Sequence, residues 1–291
     1  MTALLRLLTR LLALLPLPLL HAVGVILGSF AALFPNRNRR ITLRNLALCF
    51  PEYSERRRAR LLVLSLRETA KAMVETALIW HIGPQRLKRL VRGVEGEALL
   101  REALGRGKGV IIASPHLGSW ELIGQYLQQQ HPLTCMYKPA KSAAVDRVMH
   151  QGRSHLGMQL APTDAGGIRI LLGALRRGEM VGILPDQDPR DSGGVFAPFF
   201  GIAANTMTLL PKLAARSGAP VLVAYAERLS WGRGYRIHFL PVDDAVSGKD
   251  ETLAATALNR AVETAVQQSP TQYAWSYKRF RRRPPGEANL Y

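Results

Sequence analysis

From Leu11 to Phe34 the chain runs 24 residues without a Lys, Arg, Asp or Glu, and most of them are Leu, Ala or Val. About 20 apolar residues suffice to cross a bilayer core as helix. Arg6 and Arg10 precede the stretch, and Arg37, Arg39, Arg40 and Arg44 follow it. Residues 1–36 therefore read as a membrane anchor. A signal peptide has a shorter apolar core and a small-residue cleavage site, whereas this run ends at Phe34-Pro35 and passes into a basic segment. Pro16, Pro18 and His21 weaken a straight spanning helix and leave open a helix embedded in one leaflet. If the helix spans, the denser basic side stays cytoplasmic, with residues 37–291 in the cytosol.

Beyond the anchor the apolar positions change period. Residues 55–80 predict a long helix, with Ser54 as cap and Leu61, Leu62, Leu64, Leu66, Met73, Val74 and Leu78 around a charged face. After it, apolar runs alternate with helical stretches. The strand candidates are Gly109–Ala113, Leu133–Tyr137, Met180–Leu184, Pro220–Ala226 and Tyr235–Leu240; the helix candidates are 97–105, 119–130, 142–156, 166–177, 205–217 and 251–268. Continuous runs such as Val110-Ile111-Ile112 suit strands buried on both faces. The alternation predicts an α/β fold: one catalytic domain, residues 37–291, with a mixed sheet flanked by helices. No internal repeat or low-complexity linker divides it.

Charge adds a partner class. There are 39 Lys and Arg against 21 Asp and Glu, a formal +18, while 47% hydrophobic content excludes a disordered chain. Such an excess calls for a polyanion: nucleic acid, anionic lipid or an acidic protein. Next to an anchor, the clusters Arg56-Arg57-Arg58 with Arg60, then Arg86, Lys88, Arg89 and Arg92, then Lys278 to Arg283, suit anionic headgroups; each also suits a solvated helix face. No nucleic-acid-binding signature accompanies them, so no nucleic-acid partner is expected. Two cysteines, Cys49 and Cys135, are too few for a disulfide scaffold or a cysteine-based zinc site.

The chemistry concentrates at Ser114-Pro115-His116-Leu117-Gly118-Ser119-Trp120-Glu121. A buried strand ends, a His follows, and a Glu comes five residues later in a starting helix. Catalytic groups gather at the carboxyl ends of strands in such sheets. His116 there can take a proton from a hydroxyl, and a carboxylate on its other ring nitrogen would fix the tautomer. A His capping a helix beside a surface Glu fits the same pattern. There is no G-x-S-x-G elbow, and Lys108 is followed by Gly, which excludes a Walker loop. Asp186, Asp188 and Asp191 are spaced loosely like a cation loop without its remaining ligands. His21, His81, His131, His150, His155 and His238 form no metal pattern, and no metal site is expected.

The segment from Ser114 to Glu121 resembles the H-x4-E/D motif of the bacterial lipid A biosynthesis lauroyl/myristoyl acyltransferases. The likeness begins at Arg44-Asn45-Leu46 with Cys49-Phe50-Pro51-Glu52. It continues through Gly178-Glu179, Leu184-Pro185-Asp186-Gln187, Pro198-Phe199-Phe200-Gly201 with Thr206, and Ala214 to Pro220. It closes with Gln272-Tyr273-Ala274-Trp275, Arg279-Phe280 and Pro284, and that family also has an N-terminal anchor. The resemblance implies transfer of a fatty acyl chain from acyl carrier protein to a hydroxyl of a lipid A precursor, a phosphorylated glycolipid. The acyl carrier protein thioester is the donor substrate, and no cofactor is implied. His116 would be the base oriented by Glu121, with N–H groups near Gly118 and Ser119 holding the developing oxyanion. Arg153 and Asp186 match two further active-site positions of the family. The expected place is the cytoplasmic face of the inner membrane, among anionic lipids.

Alternatives remain open at this point. An acyltransferase acting on glycerophosphate, ornithine or a mannosylated lipid shares the motif chemistry. A hydrolase, or a membrane-anchored polyanion-binding module without catalysis, fits other parts of the pattern. Phe196, Phe199 and Phe200 suit either an acyl groove or core. Trp275, Tyr277 and Phe280, interleaved with the basic tail, suit a membrane interface or a phosphorylated glycolipid.

Overall fold

A computed structural model describes residues 2–189 and 193–291. Four helices come first: α1 (Thr2–Leu14), α2 (Leu17–Leu33), α3 (Arg37–Cys49) and α4 (Glu55–Ile79). Then α5 (Pro84–Leu90), β1 (Val91–Glu95), α6 (Glu97–Gly105), β2 (Val110–Ala113), α7 (Trp120–Gln128) and β3 (Leu133–Tyr137) follow. Next are α8 (Ala143–Ser154), β4 (Gln159–Pro162), α9 (Ala165–Arg176), β5 (Met180–Ile183), β6 (Gly194–Phe199) and β7 (Ile202–Met207). The chain finishes with α10 (Leu209–Ser217), β8 (Val221–Arg228), β9 (Tyr235–Pro241) and α11 (Glu251–Gln268). Seven strands form one sheet in the order β1-β9-β8-β2-β5-β3-β4, and β6 with β7 forms a separate hairpin. β8 and β9 pair antiparallel and the other pairings in the large sheet are parallel, so the sheet is mixed, as the apolar pattern predicts.

Strand side chains alternate between two cores. Ile111, Ala113, Val181, Ile183, Val223 and Tyr225 point to one side, onto α9, α10 and α11; Val110, Ile112, Met180, Leu222, Ala224 and Ala226 point to the other, onto α6 and α7. The central strands β2 and β5 are buried at every position. Helices cover both faces, which is what lets those strands be apolar throughout. Two edge strands, β1 and β4, escape the apolar pattern: their sequences, VRGVE and QLAP, are short and half-polar.

The apolar N-terminal stretch is not one helix. It breaks between Leu14 and Leu17, where Pro16 sits in extended conformation, and α1 and α2 meet at 117°. Arg86 holds the break by donating to the carbonyls of Ala13 (2.8 Å) and Leu15 (3.0 Å). Among the described residues no single helix is long and apolar enough to cross a membrane. α2 lies along α4 with Leu17, Leu20, His21, Gly24, Gly28 and Ala32 buried. The approach is a backbone approach: a Cβ on Gly24 would stand 2.6 Å from Lys71 Cα, and one on Gly28 2.4 Å from Arg67 Cα.

Two local expectations are corrected. The helix expected at 205–217 starts only at Leu209, because Asn205, Thr206 and Met207 pair in β7 against β6. The hairpin turns at Phe200 (φ 49°) and Gly201 (φ 75°), both left-handed, which suits the twist of a two-residue hairpin. The C-terminal aromatic segment lies inside and not at a surface. Trp275 and Phe280 are core residues, and buried Arg279 donates to the Asn205 carbonyl (2.6 Å) and Thr206 Oγ1 (2.8 Å). Phe199 is core too, and half-buried Phe200 packs on it against Phe50 and Trp275.

The glycine contact yields a stability prediction. Gly28→Leu forces α2 off α4 and is expected to lower unfolding free energy by about 1–3 kcal/mol. Leu27→Ala, on the exposed side of the same turn, should stay within about 0.5 kcal/mol. Thermal unfolding of the two variants decides it; equal losses would mean that α2 is not held through that seam.

Candidate active site

The register of the sheet assembles the site. β2 and β5 are parallel neighbours, with Ala113 opposite Ile183. Each strand then continues through one residue and a proline: Ser114-Pro115-His116 after β2, and Leu184-Pro185-Asp186 after β5. His116 and Asp186 are therefore equally far beyond a registered pair, and they meet. His116 Nδ1–H donates to Asp186 Oδ1 at 2.8 Å, and the His116 backbone N–H donates to Oδ2 at 2.9 Å. Asp186 is almost fully enclosed and the His116 side chain is 19% exposed. Burial alone would push the Asp186 carboxyl up; the facing His116 ring and its two hydrogen bonds outweigh that and hold it below the ordinary 3.8.

With Nδ1 carrying the proton, the lone pair is on Nε2. Gln187 Nε2–H donates to it at 3.2 Å. Gln187 was not singled out as a site residue from sequence, although it is the last letter of the L-P-D-Q segment. The signal for it is its place directly after Asp186 in the loop that follows β5. Trp120 stacks obliquely beside His116, ring centroids 5.4 Å apart.

Glu121 is placed differently from the expectation that it orients His116. Its carboxylate accepts from Arg153 (Nε at 3.0 and 3.2 Å, and Nη2) and from Trp80 Nε1 at 2.9 Å. The carboxylate on the His116 ring is that of Asp186. The reason is local: Glu121 sits in the first turn of α7, whose partner is α8, and Arg153 is in the last turn of α8. Burial again raises the Glu121 carboxyl, and the Arg153 charge with the bonds from Arg153 and Trp80 brings it below the ordinary 4.5. Arg153, in turn, has its guanidinium committed to Glu121.

Backbone hydrogen bonds hold the loop between them. Gly118 (φ 60°) donates its N–H to the Gln272 carbonyl at 3.1 Å, and Ser119 donates its N–H to the Ala226 carbonyl at 2.8 Å. Leu117 N–H goes to the Pro115 carbonyl, and Ala274 N–H returns to the His116 carbonyl at 3.0 Å. The N–H groups of Gly118 and Ser119, expected to face a developing oxyanion, are thus already taken. Only glycine fits at 118, since a Cβ would lie 2.0 Å from the Ala226 carbonyl oxygen. The Gly118 carbonyl accepts from Arg228 Nη2.

Arg228 opens a buried network below the loop. It donates to Glu75 Oε1 at 2.8 Å and to Glu68 Oε2 at 3.3 Å. Glu75 Oε2 also accepts from the Tyr235 hydroxyl (2.9 Å) and meets His21 Nε2 of α2 at 2.8 Å. Burial would raise the Glu75 carboxyl, but the Arg228 charge, with the His21 hydrogen bond and charge behind it, brings it down to about 2.

The three loosely spaced aspartates separate. Asp186 serves His116; Asp188 takes Asn205 Nδ2 (2.8 Å) on its side chain and donates its N–H to the Tyr277 hydroxyl (3.0 Å); Asp191 lies outside the described residues. Among the described residues no group of three or more His, Cys, Asp or Glu could hold a metal ion. Burial pushes both thiols up, Cys135 to about 12 and Cys49 further, so neither is a poised nucleophile.

An imidazole with its Nδ1 proton held by a buried carboxylate, at the carboxyl ends of parallel strands, is an arrangement able to transfer a proton. Residues 2–282 match the family described as bacterial lipid A biosynthesis acyltransferase. The chain is 32% identical over 281 residues to the lipid A biosynthesis palmitoleoyltransferase of Escherichia coli strain K12, covering 95% of this chain and 90% of that one. It is 30% identical over 278 residues to the lauroyltransferase of the same organism, with the same coverage, and 28% over 269 residues to its myristoyltransferase, covering 91% and 82%. The chain belongs to the bacterial lipid A biosynthesis acyltransferase family and is an enzyme that transfers acyl groups.

The Glu75 network carries a pH prediction. A carboxyl whose folded value lies below its unfolded value stabilises fully above the unfolded value and loses that contribution as pH falls toward the folded one. For Glu75 the window runs from the ordinary 4.5 down to about 2; Asp186 and Glu121 shift in the same direction. Unfolding midpoints should fall across that window. Glu75→Gln should be less stable at pH 7 by about 3–5 kcal/mol, because it strands a buried guanidinium, and should show a flatter acid limb. An acid limb as steep as that of the unaltered protein would remove Glu75 from the account.

Proposed function

We propose that this enzyme moves a fatty acyl chain from the thioester of acyl carrier protein to a hydroxyl on a lipid A precursor, with His116 Nε2 as the base. The observation that carries the reading is the His116–Asp186 pair, which leaves the ring nitrogen opposite Asp186 basic and turned toward Gln187. The acceptor hydroxyl takes the Gln187 position on Nε2. His116 removes its proton as the oxygen attacks the thioester carbonyl, and Asp186 stabilises the imidazolium that forms. The carbon–sulfur bond then breaks, and the leaving sulfur takes the proton back from Nε2. No acyl-enzyme is needed, in keeping with a site that has an imidazole and buried, unactivated thiols.

Oxyanion stabilisation falls to groups other than the Gly118 and Ser119 amides. Gln187, displaced from Nε2 by the acceptor, has an amide N–H free to meet the thioester oxygen. Glu121 and Arg153 act as a positioning pair: they fix the start of α7 against α8, so that Trp120 and the His116 loop stay in place. The acceptor is a phosphorylated glycolipid and the donor an acidic carrier protein, and the formal +18 of the chain suits approach by both. The workplace is the cytoplasmic face of the inner membrane, where residues 1–36 meet anionic lipid.

Acyl transfer from acyl carrier protein to a lipid A precursor, followed by mass spectrometry of both products, tests this reading. His116→Ala should abolish transfer. Asp186→Asn should lower kcat by the order of 10³–10⁴, because the ring loses its tautomer, and Glu121→Gln should cost less. Wild-type rates in His116→Ala would overturn the assignment, and free fatty acid in place of an acylated lipid would make the enzyme a hydrolase. A larger loss in Glu121→Gln than in Asp186→Asn would exchange the roles of the two carboxylates.

A further inference from the structure

Among the described residues, ten of the sixteen large apolar side chains that stand exposed lie between Leu7 and Phe34. They are the outward sides of α1 and α2, whose inward sides meet α4. A further one, Trp231, is 89% exposed, at the turn between β8 and β9. That turn is fixed beside α2: a Cβ on Gly232 would stand 2.5 Å from Pro18 Cα, so Trp231 is presented next to the head of the helix. Its own φ of 61° is a left-handed conformation that a tryptophan rarely adopts. The chain thus holds a large aromatic ring in solvent at a backbone cost, beside the largest apolar run it exposes.

The surroundings identify the occupant. Residues 1–51 contain no Asp or Glu, and they carry Arg6, Arg10, Arg37, Arg39, Arg40 and Arg44. Of these Arg10, Arg37, Arg40 and Arg44 are exposed. Apolar residues and a tryptophan rimmed by arginine, without any acid, match the interface of an anionic bilayer.

The same contacts argue against a crossing by α2. α2 has 17 residues, about 25 Å of helix against a hydrocarbon core of about 30 Å. Its inner side is fixed to α4 from His21–Glu75 through Gly24–Lys71 to Gly28–Arg67, and Arg67 Nε also donates to Ser29 Oγ at 2.9 Å. If α2 stood across the bilayer, α4 would have to stand there with it. α4 carries Arg56, Arg57, Arg58, Arg60, Arg67, Glu68, Lys71 and Glu75, a charge load no spanning helix bears.

We infer that α1, α2 and Trp231 form one face that sits in a single leaflet of an anionic membrane, with α2 in the bilayer plane and both of its ends on the cytoplasmic side. The inference rests on the membrane reading above and deepens it. It places Thr2 and Asn38 on the same side, whereas a span places them on opposite sides.

The test uses the full chain in sealed inner-membrane vesicles with the cytoplasmic side outward. Thr2→Cys and Asn38→Cys are probed separately with a membrane-impermeant maleimide, against the unaltered chain with its two native cysteines as background. Both sites should label before detergent is added. Labelling of Asn38→Cys before detergent and of Thr2→Cys only after it overturns the in-plane arrangement while leaving membrane attachment intact. Recovery of the chain in the soluble fraction overturns the membrane reading itself. In parallel, purified protein is titrated with vesicles of phosphatidylcholine and phosphatidylglycerol. Trp231→Ser should weaken binding about tenfold with unchanged thermal unfolding, since Trp231 is almost fully exposed. An unchanged affinity, or self-association through this face with no vesicle binding, overturns the proposal.

Discussion

A guanidinium buried to 4% exposure, Arg228, ties the molecule together. A charge removed from water must be met by partners or it unfolds the protein that buries it. Three segments distant in sequence supply them: Glu75 and Glu68 from α4, Gln272 near the C-terminus, and the Gly118 carbonyl of the loop after β2. His21 of α2 reaches the same cluster through Glu75. The helix that carries the exposed apolar side chains and the loop that carries the base are thus joined by one continuous set of buried hydrogen bonds. Two different tasks share a single electrostatic constraint.

Above that cluster the site is economical in geometry. Parallel register does most of the positioning, since equal three-residue exits from β2 and β5 bring a base and a carboxylate face to face. Two buried carboxylates near one imidazole could compete for it. Here each has its own partner: Asp186 the ring N–H, Glu121 the guanidinium of Arg153. Separate pairing keeps both ionised, and it keeps the ring in one tautomer.

The central strands and flanking helices were legible in the sequence because burial on both faces demands uninterrupted apolar runs, as in Val110-Ile111-Ile112. The edge strands β1 and β4 were not, because an edge needs no such run. The β6–β7 hairpin was hidden by its turn: Phe200-Gly201 takes the left-handed conformations that Asn-Gly would have announced. His116 was legible by its place after a strand, and Asp186 by its place after the neighbouring one. Their pairing was not, since spacing along the chain favoured Glu121 and only sheet order reveals that β2 and β5 are adjacent. The C-terminal basic and aromatic cluster misled for a related reason. Arg279 and Trp275 look like surface residues until the hairpin and α3 that enclose them are in place.

The loop bearing His116 leans on residues made much later. The carbonyl of Gln272 receives the Gly118 N–H, and Ala274 donates to the His116 carbonyl. During synthesis, which proceeds from the N-terminus, the loop is made well before the segment around Gln272 and Ala274 that braces it. The loop therefore takes its final hydrogen bonds only once the chain has been made through Ala274.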